Sequence, residues 1–212
     1  VSRPRRFGKT MAANMIAAYY SKGCDSHEAF SDLKISEDPS FEENINKYTV
    51  IQLDMNDVVT NKEDNSVTEY INKEIVSELR KVYPSVLLAD DTSLSKAIKE
   101  IYSSTGDRFV FIIDEYDVII RDQQYSSELS GYLSFLVSLF KNSIISPAIA
   151  LAYLTGIMPI IKEKTQSKLN NFNEYTMLNA KDMAPFMGFT EDEVKGLALK
   201  VGMDFEELKR WY

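Results

Sequence analysis

An α/β fold, with a parallel sheet flanked by helices and a small helical piece at its end, follows from three features of this 212-residue chain. Two apolar runs, Phe109–Ile113 and Ala148–Leu154, show no alternation, the pattern of strands buried on both faces of a parallel sheet. Segments with helical spacing lie between and around them, Ile71, Ile75 and Leu79 forming the clearest set. Strands that alternate with helices imply right-handed crossovers, which put helices on both sides of the sheet.

In chain order, Lys9 to Ser21 consists of strong helix formers, and Gly23 supplies a stop. Tyr48–Leu53 is rich in β-formers and runs into Asp54-Met55-Asn56-Asp57, which reads as a polar turn. A polar loop, Thr60 to Asn65, precedes a helix predicted over Val67–Val82, and Ser93–Tyr102 reads as a second, shorter amphipathic helix. After the strand Phe109–Ile113 a helix is predicted over Ser127–Lys141. Pro147 then opens the strand Ala148–Leu154, and Thr155-Gly156 closes it. Glu174–Leu178 reads as one more short strand, and Asn170-Asn171 before it as a loop. Beyond it the pattern is helical: Thr190 with Glu193, and Asp204 with Glu207, have the spacing of a capped helix start. Two units follow: a core over residues 1–165, and a last strand with the start of a helical, lid-like piece over 166–212.

Composition excludes several classes of function. No apolar run reaches the roughly 18 residues that span a bilayer, and no apolar signal core follows the basic start Val1-Ser2-Arg3-Pro4-Arg5-Arg6. Cys24 is the single cysteine and His27 the single histidine, so an internal disulfide, a Cys-rich zinc site and a Ser-His triad are unavailable. A reducing, cytoplasmic setting is the simplest reading. Acidic residues outnumber basic ones 32 to 24, and the net charge of −8 argues against a surface given over to nucleic acid. Arg3, Arg5 and Arg6 form the one basic patch; position alone would make them a solvated tail, but they stand directly before Gly8-Lys9-Thr10. Met11, Met15 and Ile16 are expected to pack in the core, His27 to sit on a surface turn, and Trp211 and Tyr212 to be the last packed aromatics.

A phosphate loop of pattern G-x-x-x-x-G-K-[ST] cradles phosphates with backbone N–H groups, reaches the β/γ-phosphates with its lysine and holds Mg²⁺ with its hydroxyl. Residues 3–10 match at the last three positions, with Arg3 where the first glycine belongs. Arg6, Phe7, Gly8, Lys9 and Thr10 are therefore the candidate nucleotide-binding residues. The helix that they open adds an anion site, while Pro4, which has no N–H, leaves the loop fewer donors. The second motif is residues 109–115, in which an apolar strand delivers acids to the carboxyl edge of the sheet, where open α/β folds bind ligands. There Asp114 joins Thr10 as the candidate Mg²⁺ ligand, and Glu115 is the candidate base for the attacking water. Each motif alone is weak, since Gly-Lys-Thr arises by chance and apolar strands commonly end in solvated acidic turns. In this order and separation they specify a site for ATP and Mg²⁺. Thr155 would stand at the same edge, sensing the γ-phosphate or merely capping a turn. Asp117 is read either as a support for Glu115 or as a solvated acid.

The string Ser2-Arg3-Pro4-Arg5-Arg6-Phe7-Gly8-Lys9-Thr10 resembles the AAA-ATPase-like family of bacterial P-loop ATPases. So do Asp114-Glu115-Tyr116-Asp117, Leu154-Thr155-Gly156, Leu169-Asn170-Asn171-Phe172 and Gly188-Phe189-Thr190-Glu191, and the resemblance runs over nearly the whole chain. It implies an ASCE-type P-loop fold with ATP and Mg²⁺ as ligands, and it makes the lost first glycine ordinary. Many relatives carry a nuclease-like domain of the restriction-endonuclease fold after the ATPase part, for which these residues leave no room. Nucleic acid would be reached only through such a domain. Ile119 stands where relatives often have proline, a change to a loop and not to the chemistry.

The expected activity is ATP binding with slow, regulated hydrolysis, as one module of a larger protein. The rival readings are a nucleotide switch that does not hydrolyse and a scaffold that has lost its nucleotide. No arginine reads as an evident finger, so the helical tail, a second copy of the chain or a trans-acting partner is expected to supply one. Only Val1-Ser2 precede Arg3, so the strand that leads into the loop is expected to be a stub and the chain a fragment. In the expected sheet order 5-1-4-3-2 that stub lies beside Thr155, between Ala148–Leu154 and Glu174–Leu178.

Overall fold

Three parallel strands make up the sheet in the computed structural model, which describes residues 1–87, 92–159, 171–186 and 188–211. They are β1 (Thr49–Asp54), β2 (Phe109–Asp114) and β3 (Ile149–Leu154), in that spatial order. Asp54 stands opposite Asp114 and Ile113 opposite Leu154, so the strands finish at a common edge. The helices are α1 (Lys9–Tyr20), α2 (His27–Ser31), α3 (Phe41–Asn44), α4 (Met55–Asn61), α5 (Val67–Val82), α6 (Leu94–Thr105), α7 (Val118–Arg121), α8 (Leu129–Phe140), α9 (Glu191–Val201) and α10 (Phe205–Arg210). No helix among the described residues is long and apolar enough to cross a membrane.

β2 pairs on both sides and all its residues are buried, which suits the apolar run Phe109–Ile113; only its last residue, Asp114, is charged. Val110 and Ile112 meet Ala13 of α1 on one face. Phe109, Phe111 and Ile113 point the other way, into the core shared with α5, α6 and α8. The result is three layers. α5 starts where the Ser66 and Glu69 side chains cap each other's backbone, and its Ile71, Ile75 and Leu79 stripe is buried. Each such aliphatic side chain contributes about 1.5–3 kcal/mol when fully buried.

The outer edge of β3 is met by the first residues of the chain. Gly156 donates its N–H to Val1 O at 3.1 Å, and Arg3 donates to Gly156 O at 3.0 Å. Ser2 turns its own N–H outward, to Tyr175 O at 2.8 Å. Ser2 thus bridges Gly156 in parallel, with Tyr175 on its far side.

Several local expectations are corrected. Glu174–Leu178 is not a strand: Thr176 N–H turns back to Asn179 O at 3.0 Å and the Thr176 hydroxyl accepts from Asn179 N, so a turn takes the backbone groups a ladder would use. Asp54-Met55-Asn56-Asp57 opens α4, because the Asp54 carboxylate accepts from Asn56 N–H at 2.8 Å while Met55 and Val58 reach the core. Met11 and Met15 are 71% and 48% exposed, since α1 meets the sheet through the small Ala13 and Ala17; Ile16 does pack. Trp211 is 84% exposed and not a packed aromatic. His27 is exposed as expected but opens α2, pairing with Glu42 at 2.8 Å. Leu169, Asn170, Tyr212 and the boundary at 165/166 lie outside the described residues. Asn171 sits in a turn and donates to Phe140 O at 2.9 Å.

Candidate functional site

The loop before α1 bends through two left-handed residues, Arg6 and Gly8, each at φ 71°. Gly8 adopts this conformation without a steric penalty, and it sets the entry angle of α1. No side chain caps the start of this 12-residue helix, and its first turn holds no acid, so its N–H groups are available to an anion. Lys9, in the first turn, is 5% exposed. Its ammonium donates to Pro4 O at 3.1 Å and lies 3.7 Å from Glu115 Oε1.

β2 brings Asp114 to the same place. The Thr10 hydroxyl donates to Asp114 Oδ2 at 2.5 Å, and the Thr155 hydroxyl donates to Oδ1. Glu115 N–H also donates to Oδ1, at 3.0 Å. Lys9, Thr10, Asp114, Glu115 and Thr155 therefore form one cluster at the carboxyl edge of the sheet. Arg6 is exposed, and Phe7, half-buried, lies against Gly188, where an added Cβ would come 3.9 Å from its ring. The supposed tail is only partly solvated: Arg5 and Arg6 are exposed, but Arg3 is 3% exposed, and its Nη1 has no hydrogen-bond partner among the described residues.

Two residues that sequence reasoning left open or missed complete the cluster. Asp117 is wholly buried, and its Oδ2 accepts from Ile157 N–H at 3.1 Å and Met158 N–H at 2.8 Å. It therefore holds the loop that follows Thr155. Arg121 reaches Glu115 Oε2 from Nη1 and Nη2, at 3.2 and 3.3 Å, and Asp117 Oδ2 at 3.3 Å. The available signal was the spacing of Asp117 and Arg121, four apart on a helical turn. Tyr116 anchors the same corner, donating its N–H to Thr155 O at 2.9 Å and its hydroxyl to Met158 O. Burial, with the nearby Asp117 carboxylate, pushes the Tyr116 phenol far up, so it remains a neutral donor.

A cation has a matching donor set here. Among the described residues no group of three His, Cys, Asp or Glu side chains converges. Mg²⁺ in phosphate sites needs only one or two carboxylates, with phosphate and water filling the other positions. The Thr10 hydroxyl beside the Asp114 carboxylate fits that requirement.

The chain is an α/β protein with a three-stranded parallel sheet, and a left-handed glycine loop opening an uncapped helix, a buried lysine and a hydroxyl set on the acid of the central strand are compatible with the phosphate-loop class. Residues 1–165 match the family described as "Predicted AAA-ATPase", and the chain belongs to this AAA-ATPase-like family. It is also similar to a protein of Azotobacter chroococcum mcd 1 described as "Uncharacterized protein in vnfD 5'region", with 22% identity over 218 residues. That alignment covers 100% of this chain and 40% of the relative, so the chain spans well under half of that protein. No solved structure matches the chain significantly.

Proposed function

We propose that the chain binds Mg-ATP at the Lys9–Thr10–Asp114 cluster and hydrolyses it slowly. The observation that carries this reading is the convergence of the Thr10 and Thr155 hydroxyls on Asp114, with Lys9 and Glu115 facing each other across the same gap. Lys9, moving off Pro4 O, would neutralise the β/γ oxygens, while Arg6, Phe7 and Gly8 shape the loop around them. Thr10 can keep its proton on Asp114 and still present a lone pair to the cation. Mg²⁺, when bound, supplies charge neutralisation to the phosphate oxygens. Glu115 would accept a proton from the attacking water, and Thr155 would report on the γ-phosphate. The order β1-β2-β3 with Val1–Ser2 outside β3 supports the ASCE arrangement. The nearness of Gly188 to the Phe7 ring supports a lid-like role for the residues after 165. Family membership supports ATP as the nucleotide. An exposed free Cys24 suits a reducing, cytoplasmic setting. A second copy or a trans-acting partner would raise the rate, by about 10³–10⁵ if it supplied an arginine to the γ-phosphate.

Calorimetric titration with Mg-ATP and a phosphate-release assay test this. Lys9→Ala is expected to weaken binding by about 1.5–3 kcal/mol, the worth of a charge-assisted contact. Glu115→Gln is expected to bind ATP normally and to turn over roughly 10²–10⁴ more slowly. Unchanged affinity in the lysine variant removes the phosphate-loop assignment. Binding without phosphate release in the wild type leaves a nucleotide switch.

A further inference from the structure

We propose that Arg121 is a positioning residue that holds one oxygen of Glu115 so that the other faces the phosphate loop, a role that rests on the hydrolase reading above. The two oxygens of this carboxylate have different partners. Oε2 takes both terminal nitrogens of Arg121, at 3.2 and 3.3 Å, while Oε1 lies 3.7 Å from Lys9 Nζ. When Lys9 turns to phosphate, Oε1 is the oxygen released, and it already points into the gap where a water would attack. Oε2 stays on the arginine. An arginine suits this task because its planar fork holds donors at fixed angles, whereas a lysine ammonium is a point charge on a flexible stem that would not fix the carboxylate's orientation.

The second carboxylate is Asp117, 3.3 Å from Arg121 Nη1. Asp117 is wholly buried and holds the N–H groups of Ile157 and Met158. Arg121 therefore ties the orientation of Glu115 to the loop that carries Thr155. Backbone geometry shows why a tether is needed. Glu115 sits at φ 52°, a left-handed conformation disfavoured for a residue with a Cβ, and such conformations persist only where surrounding contacts enforce them. Those contacts include the Glu115 N–H bond to Asp114, the bond from Val118 N–H to Glu115 O at 3.0 Å and, on the side chain, the Arg121 fork.

A double-mutant cycle on this chain separates positioning from mere charge balance for Asp117. Single-turnover ATP hydrolysis would be measured for the wild type, Arg121→Ala, Arg121→Lys, Glu115→Gln and the Arg121→Ala/Glu115→Gln pair, alongside KM for ATP and urea unfolding. Arg121→Ala is expected to lower kcat by roughly 10–100-fold, as misplacement of a catalytic group does, with KM changed less than about twofold. In the Glu115→Gln background the same change is expected to alter the rate by less than about twofold, because its target is already gone. Arg121→Lys keeps a cation against Asp117, so it is expected to fold like the wild type and still lose most of the rate. Equal losses in both backgrounds, or full kcat in Arg121→Lys, overturn the role. A wild type that binds ATP without turnover overturns the hydrolase reading and this role with it, whereas an active wild type with uncoupled variants overturns this role alone.

Discussion

Gly156 follows Thr155, and the chain passes so close to Asp117 there that a Cβ would lie 2.6 Å from Oδ1 and 2.8 Å from Tyr116 Cε1. Both residues are buried, Asp117 being held through its other oxygen, Oδ2, and Tyr116 through its hydroxyl, so neither yields readily. Gly156→Ala is expected to destabilise the chain by about 1–3 kcal/mol, the range for overpacking, and to slow turnover by displacing Thr155. Gly8→Ala is the matched comparison: its φ is 71° but a Cβ there meets nothing within 4 Å, so only the left-handed conformation resists it, at about 1–2 kcal/mol. Urea unfolding of both variants checks this. Wild-type stability and turnover in Gly156→Ala would show that the Thr155 loop shifts freely.

Among the elements, β1, β2 and the turns before them are joined at the end of the sheet opposite the site. Tyr83 OH, at the end of α5, contacts Thr49 Oγ1 at 2.6 Å, Lys22 Nζ at 2.7 Å and Asp107 Oδ2 at 2.8 Å, and Lys22 pairs with Asp107 directly. Burial works against the Asp107 carboxylate, but hydrogen bonds from Lys22 and Tyr83 outweigh it and hold its pKa below the ordinary 3.8. A folded pKa below the unfolded one gives stability that is present above pH 3.8 and lost as pH falls through the folded value. The pair is partly exposed, so the contribution is set at about 1 kcal/mol at most. Asp107→Asn is expected to lose that amount at neutral pH and to show a shallower decline in stability on acidification. Identical acid limbs in urea melts of variant and wild type would contradict it.

Across the whole molecule, burial is uneven. β2 is buried throughout, whereas among the described residues from 171 to 211 only Ala198 is buried. Opening free energy follows buried contact, so amides of β2 are expected to exchange near the global limit and those of α9 far faster. Hydrogen exchange read by mass spectrometry tests this, and equal protection in the two elements would refute it.

The same unevenness explains what could be read from the linear chain. Apolar runs made β2 and β3 legible, helical spacing and a capping box made α5 legible, and two short motifs named Lys9, Thr10, Asp114 and Glu115. These are local properties, carried by neighbours a few residues apart, and they survive folding. Which face of α1 meets the sheet, why Arg3 is buried while Arg5 is not, and why Glu174–Leu178 turns instead of pairing depend on what packs alongside. So does the partnership of Glu115 with Arg121: a guanidinium takes its role from the carboxylates within about 3 Å of it, and the folded turn between β2 and α7, where Glu115 takes a φ of 52°, chose them.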